Sequence, residues 1–238
     1  YDTEPVFAEH FDACTTAFQA ELGLDLHEAI FGGTAADLER IDRSQPALFT
    51  VEYALAKLVD SYGVRAGSYI GYSTGEYIAA TLAGVFDLQT AVKTVALRAR
   101  LMHESPPGAM VAVALSPADV AQHLVPGAEV SAVNDPGNCV VAGPKDAVRA
   151  FTQRLGEQGI PVRRVRATHA FHTSQMDCML GEFREFLGRQ QLNVPQTRLL
   201  SNLTGTWLTD EQAADPDTWT RQISSTIRFA DELDAVLS

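Results

Sequence analysis

The chain has 238 residues, 46% hydrophobic and 20% charged. That balance excludes disorder and low-complexity fibres and allows a large core without disulfide or metal staples. Eighteen Lys and Arg against thirty Asp and Glu leave a net charge of −12, which argues against nucleic acid and anionic membranes as partners. Cys14, Cys139 and Cys178 are widely spaced and form no CxxC pair. No apolar run approaches the ~18 residues of a membrane span, and no signal peptide opens the chain. These features point to a reducing, cytoplasmic setting without structural zinc. The chain opens on Tyr1, not Met, as a piece of something longer would.

Residues 4–20 repeat apolar side chains at Phe7, Phe11, Cys14 and Phe18, a helical stripe. Residues 21–43 read as a loop with one short helix. Ser44 then offers an N-cap and Pro46 suits a first turn, with an apolar stripe at Leu48, Val51, Leu55, Leu58, Val59 and Tyr62 and a stop at Gly63. Residues 66–70 are too short for a helix and read as a buried strand. A helix starting at Glu76 breaks at Gly84. Asp87 caps the next, whose stripe is Leu88, Ala91, Val92, Val95, Ala99 and Met102. Pro106, Pro107 and Gly108 end it.

From there the rhythm changes. Strands are expected at 110–115, 129–133, 139–142 and 161–167, with helices at 116–124 and 144–157 and a turn at Asn134-Asp135-Pro136-Gly137. The order β-α-β-β-α-β is that of a ferredoxin-like unit. Beyond it come a helix over 175–189, a strand over 198–201 and a helix from Pro216. The domain reading is therefore a discontinuous catalytic sub-domain, 1–107 with 171–238, and a sub-domain over 108–170.

Gly71-Tyr72-Ser73-Thr74-Gly75 is a GxSxG box. Chance supplies about 0.08 such boxes in a chain this long, so the box alone is only moderately specific. A strand entering and a helix leaving make it a nucleophile elbow, with the backbone N–H of Thr74 facing a developing oxyanion. A plain strand-to-helix turn would also use these glycines. A serine nucleophile needs a base. Of six histidines, His169 and His172 stand out, because they follow the last strand of the 108–170 unit and catalytic groups gather at strand ends. Zinc is disfavoured for this pair: the spacing is not i, i+4 on a helix and no third ligand is evident. Arg98 sits at the edge of an apolar stripe while Lys93 and Arg100 fall on the outer face. An inward guanidinium needs an anion, either a structural carboxylate or a substrate carboxylate.

Several motifs together resemble a known family. They are Gln45-Pro46-Ala47-Leu48, the box continued through Glu76-Tyr77, Arg98 twenty-five residues after Ser73, Pro107-Gly108-Ala109-Met110, Asn134-Asp135-Pro136, His169-Ala170-Phe171-His172, Ser201-Asn202-Leu203-Thr204-Gly205 and Arg228-Phe229-Ala230. In this order, over essentially the whole chain, they resemble acyltransferase domains of modular polyketide synthases, relatives of malonyl-CoA:acyl carrier protein transacylases. The resemblance implies an α/β-hydrolase-like core with an inserted ferredoxin-like sub-domain. It implies Ser73 as nucleophile, His172 as general base oriented by a late backbone carbonyl such as that of Gln222, and Arg98 as partner of the extender unit's carboxylate. It also implies Gln45, Tyr72, His169 and Phe171 as substrate-lining residues, with no bound metal or cofactor. The partners it implies are malonyl-CoA, an acyl carrier protein with its phosphopantetheine thiol, and neighbouring synthase domains. The His-Ala-Phe-His form goes with malonyl rather than methylmalonyl: a bulky Phe171 leaves less room beside C2, although one methyl is worth only ~1–3 kcal/mol.

Two departures weaken parts of this. Tyr72 stands where the family usually has His, which bears on selectivity. Family members begin with a strand ending in Gly-Gln-Gly whose backbone supplies a second oxyanion donor, and Tyr1 falls after it. The expectation is a fragment lacking its N-terminal strand, with a donor whose loss typically costs ~10²–10³-fold in rate. The competing readings are a serine esterase or thioesterase, which Arg98 disfavours, and a non-catalytic scaffold that docks a carrier protein. Arg163, Arg164 and Arg166 are the basic candidates for such docking.

Overall fold

The computed structural model describes residues 1–238, the side chain of Ala35 excepted. Helix α1 (Pro5–Leu22) opens with proline, whose missing N–H costs nothing in a first turn, and closes on Gly23 at φ 64°. Two short helices follow, α2 (Leu26–Phe31) and α3 (Ala35–Leu38), where one was expected. Next come α4 (Ile41–Ser61), β1 (Ser68–Tyr69), α5 (Thr74–Ala83) and α6 (Leu88–Glu104). The Thr90 N–H donates to Asp87 Oδ1 at 2.7 Å, the cap expected for α6. The chain continues through β2 (Ala109–Val113), α7 (Pro117–His123), β3 (Glu129–Asp135), β4 (Asn138–Gly143), α8 (Lys145–Gly156) and β5 (Val162–Arg164). A 3₁₀ turn at Ser174–Met176 leads into α9 (Asp177–Leu187), then β6 (Arg198–Leu199), α10 (Asp210–Ala214), α11 (Pro216–Gln222) and α12 (Phe229–Leu237). No helix among the described residues is long and apolar enough to cross a membrane.

The chain divides into two compact units. The first takes in residues 1–104, 185–199 and 209–214. Its strands β1 and β6 pair in parallel, Ser68 opposite Arg198 and Tyr69 opposite Leu199. Phe11, Cys14 and Phe18 of α1 are buried, as the stripe requires.

Helix α4 corrects the sequence reading in two ways. It starts at Ile41, so Pro46 lies inside it and denies the Asp42 carbonyl its i+4 donor, a loss confined to one bond near the N-terminus. Its expected apolar stripe also faces outward: Leu48 and Leu55 are 51% and 50% exposed, while Phe49, Thr50, Tyr53 and Ala54 are buried. The helix carries two apolar stripes, and the aromatic one takes the core. Phe49 sets its edge against Phe18 with centroids 5.7 Å apart, a gain in area and ring geometry that aliphatic side chains do not match.

The second unit takes in residues 105–184, 200–208 and 215–238. Its sheet runs β3-β4-β2-β5, antiparallel throughout. Val111, Val113, Val120, Cys139, Val141, Val148, Phe151 and Leu155 form the core under α7 and α8. Alternate residues Met110, Ala132, Val140 and Ala142 pack on the other face with Ala170 and Ile227, the period-two pattern of a sheet covered on both sides. The hairpin is tighter than expected: Asp135 pairs with Asn138, leaving two turn residues, and Asp135 Oδ1 accepts from the Gly137 N–H at 2.8 Å. Residues from beyond 170 join this unit for a visible reason. Ile227 bridges Ala132 at the free edge of β3, its N–H donating to the Ser131 carbonyl and its carbonyl accepting from Val133.

Two motifs of the last third hold this arrangement. The Arg228 N–H donates to the Asn202 carbonyl at 3.0 Å. The Asn202 amide reaches both carboxylate oxygens of Glu232 at 2.9 and 3.0 Å. Burial pushes the Glu232 carboxyl up to about 7, and the Asn202 bond pulls it back.

Candidate active site

Two groups of functional side chains are present, one in each unit. In the first, β1 delivers the chain to Gly71 and α5 carries it away from Ser73, which caps that helix with φ 54° and ψ −110°. A Cβ on Gly71 would sit 2.2 Å from the backbone of Gly75, so position 71 must be glycine for a turn this tight. The Thr74 N–H is the first of α5 and has no intrahelical acceptor. It is therefore available to a developing negative charge at the positive end of the helix.

Arg98 comes from α6 and is completely buried. Its hydrogen-bond partners are all neutral: Nη1 donates to Gln45 Oε1 and to Thr74 Oγ1 at 2.8 Å, and Nη2 donates to Ser73 Oγ at 2.9 Å. Nε has no hydrogen-bond partner among the described residues. The guanidinium carbon lies 5.3 Å from the centre of the Tyr77 ring, a cation–π seat. Burial draws the Arg98 pKa down, with Tyr77 and Glu76 acting the other way. A guanidinium nevertheless stays charged at neutral pH. The site thus keeps a buried cation beside a serine hydroxyl, with no carboxylate among the described residues hydrogen-bonded to the guanidinium.

The second group lies on the chain after β5. His172 is buried, and its Nδ1 lies 3.0 Å from the Gln222 carbonyl. Nδ1 must donate there, which makes Nε2 the basic nitrogen. Its backbone has φ 58°, and among the described residues Ser73 and His172 are the non-glycines with positive φ. Such conformations cost of order 1–3 kcal/mol each and gather at functional sites. Gly108 helps hold the loop: its N–H donates to the Thr168 carbonyl at 2.9 Å, and a Cβ there would meet the Ala170 nitrogen at 2.6 Å. His169 is buried, with Nδ1 2.8 Å from Thr168 Oγ1. Phe171 lies 5.8 Å from the His169 ring and packs on the sheet face that carries Met110, Val140 and Ala142.

Gln45, Ser73, Thr74 and Arg98 are thus brought together. Tyr72 lies elsewhere. It is 42% exposed and lines an open groove of about 300 Å³ with Tyr69, Ile70, Ile78 and Leu82. Two contributions escaped the sequence reading, the Thr74 hydroxyl and the Tyr77 ring. Residue 77 stands three and four positions after the pair 74 and 73, hence on the same helical face, and that spacing was the available signal.

Comparison with known proteins gives a consistent picture. The family described as the acyl transferase domain matches residues 1–238. A phenolphthiocerol/phthiocerol polyketide synthase polypeptide of Mycobacterium tuberculosis is 78% identical over all of this chain, which spans 16% of that protein. The crystal structure of the acyltransferase domain from the second module of the salinomycin polyketide synthase superposes with a TM-score of 0.93 at 40% identity, covering 100% of this chain and 56% of that one. The acyl transferase domain of SpnD, in complex with 2-(pent-4-yn-1-yl)malonyl, gives a TM-score of 0.92 at 38% identity, covering 98% of this chain and 56% of that one.

Proposed function

Because the chain belongs to the acyl transferase domain family, we propose that it moves a malonyl unit from coenzyme A, through an ester on Ser73, to the phosphopantetheine thiol of an acyl carrier protein. The observation that carries the choice of a dicarboxylic acyl group is Arg98: a buried guanidinium, bonded only to neutral oxygens, that reaches the Ser73 hydroxyl. An acyl carboxylate would pair with that charge, as a neutral ester would not. A malonyl derivative bound to the SpnD domain is in keeping with this reading.

In the first half-reaction, His172 Nε2 takes the Ser73 proton as Oγ attacks the thioester carbonyl. The carbonyl oxygen becomes the oxyanion and receives the Thr74 N–H. Collapse expels the coenzyme A thiolate, which takes the proton from His172. In the second, the carrier thiol gives its proton to His172 and attacks the seryl ester, and Ser73 recovers its proton on leaving. The Gln222 carbonyl keeps His172 in the required tautomer. No electron changes hands, so no redox cofactor is called for. The fold that carries this chemistry is read as an α/β-hydrolase-like core bearing a ferredoxin-like sub-domain over 108–170, with later segments of the chain packed onto that sub-domain. Phe171, packed beside His169, favours malonyl over methylmalonyl. A cytoplasmic setting, with neighbouring synthase domains as partners, belongs to the same reading.

Intact-mass measurement of the full-length protein after incubation with malonyl-CoA tests it. A malonyl adduct on the peptide containing Ser73, discharged only by carrier protein, is the expected result. Rapid discharge by water would make the protein a hydrolase, and no adduct would make it a scaffold.

The carrier must approach a chain of net charge −12. Arg163 and Arg164 on the edge strand β5, with Arg166 just after it, are exposed and stand in no ion pair among the described residues, which makes them the basic surface assigned to that approach. Reversing all three to Glu should raise KM for the carrier about 10-fold or more and leave the rate of serine acylation unchanged. An unchanged carrier KM would move the docking face elsewhere.

A further inference from the structure

We propose that the Thr74 hydroxyl is a positioning group that aims Arg98 at the acyl carboxylate, a role separate from that of the Thr74 backbone N–H. The proposal rests on the reading of Arg98 as the carboxylate clamp. Nη1 carries two N–H groups, and both are committed: one to Gln45 Oε1 on α4, the other to Thr74 Oγ1 on α5 at 2.8 Å. Both acceptors are buried, so water does not readily replace either. A guanidinium held at one nitrogen from two helices, with its carbon 5.3 Å from the Tyr77 ring centre, cannot turn in its plane without stranding a buried N–H. Turning is what would carry Nη2 away from Ser73 Oγ, now 2.9 Å distant. Thr74 follows Ser73 directly, so the residue that orients the clamp is fixed to the nucleophile by one peptide bond. The Thr74 bond therefore ties clamp to nucleophile, and a malonyl group needs that spacing because its carboxylate and its reacting carbonyl share a single carbon.

The geometry predicts a loss of discrimination. In the full-length protein, Thr74→Val keeps the shape and removes the acceptor. It should lower kcat/KM for malonyl-CoA by about 10- to 100-fold and reduce the malonyl-to-acetyl ratio by about 10-fold or more, chiefly through KM. Thr74→Ser, which keeps the hydroxyl, should restore the ratio. Equal losses on both thioesters, an unchanged ratio, or a failure of Ser to restore it would overturn the proposal. Arg98→Ala in the same assay separates the two levels. If it lowers malonyl and acetyl transfer equally, the clamp reading fails and the Thr74 role fails with it. If Arg98→Ala is selective and Thr74→Val is not, only the Thr74 role fails.

Discussion

Ser73→Ala should leave no malonyl adduct and lower acyl transfer in the full-length protein by about 10⁴- to 10⁶-fold, with His172→Ala close behind and the double variant no slower than the slower single one. The expectation follows from how the two residues divide one step. A serine hydroxyl is a poor nucleophile until its proton is taken, and a base without a nucleophile has nothing to activate, so the second deletion removes what the first has already disabled. Both residues hold positive φ, a strain an ordinary turn would relieve by substituting glycine. What remains after both are gone is binding and the oxyanion donor. Quenched-flow measurement of acyl-enzyme formation on the three variants decides it. If the two losses multiply instead of saturating, Ser73 and His172 act independently and the base must be sought elsewhere.

The parts of the fold that could be read from residues are those set by short-range chemistry. The glycines of the box report the closeness of backbone around Ser73: a Cβ at position 71 has nowhere to go. Asp87 caps α6 because a carboxylate three residues before an N–H satisfies it locally. The alternation of apolar residues in β2 and β4 reports a sheet with two covered faces. What stayed hidden depends on partners far along the chain. Leu48 and Leu55 have the spacing of a core stripe and lost the core to Phe49 and Tyr53, since periodicity does not say which of two apolar stripes meets α1. The extent of the second unit was also hidden, because Ile227 joins the edge of β3 from nearly a hundred residues away. In the site, Arg98 stood out as a charge on an apolar edge, whereas the Thr74 hydroxyl looked like an ordinary helix-start residue until α6 placed Nη1 against it.

Arg98→Ala should lower kcat/KM for malonyl-CoA by about 30- to 5,000-fold, the range for losing a desolvated charge-assisted fork of roughly 2–5 kcal/mol, while acetyl transfer falls little or rises. The asymmetry comes from the substrate. Acetyl has no carboxylate to lose, and removing a buried cation lowers the cost of seating a neutral group beside Ser73. Malonyl brings a charge that must be desolvated on entry, and without the guanidinium nothing repays that cost. The effect on malonyl should fall mainly on KM if the fork forms on binding, and on kcat as well if it also holds the carbonyl at the attack distance. Adding guanidinium ion to Arg98→Ala offers an internal control, since partial recovery with malonyl and none with acetyl would place the lost charge at the carboxylate. The measurement belongs in the full-length protein. Equal losses for malonyl and acetyl would make Arg98 a structural residue tying α6 to α4 and α5, and the preference for a dicarboxylic acyl group would then have to come from another side chain.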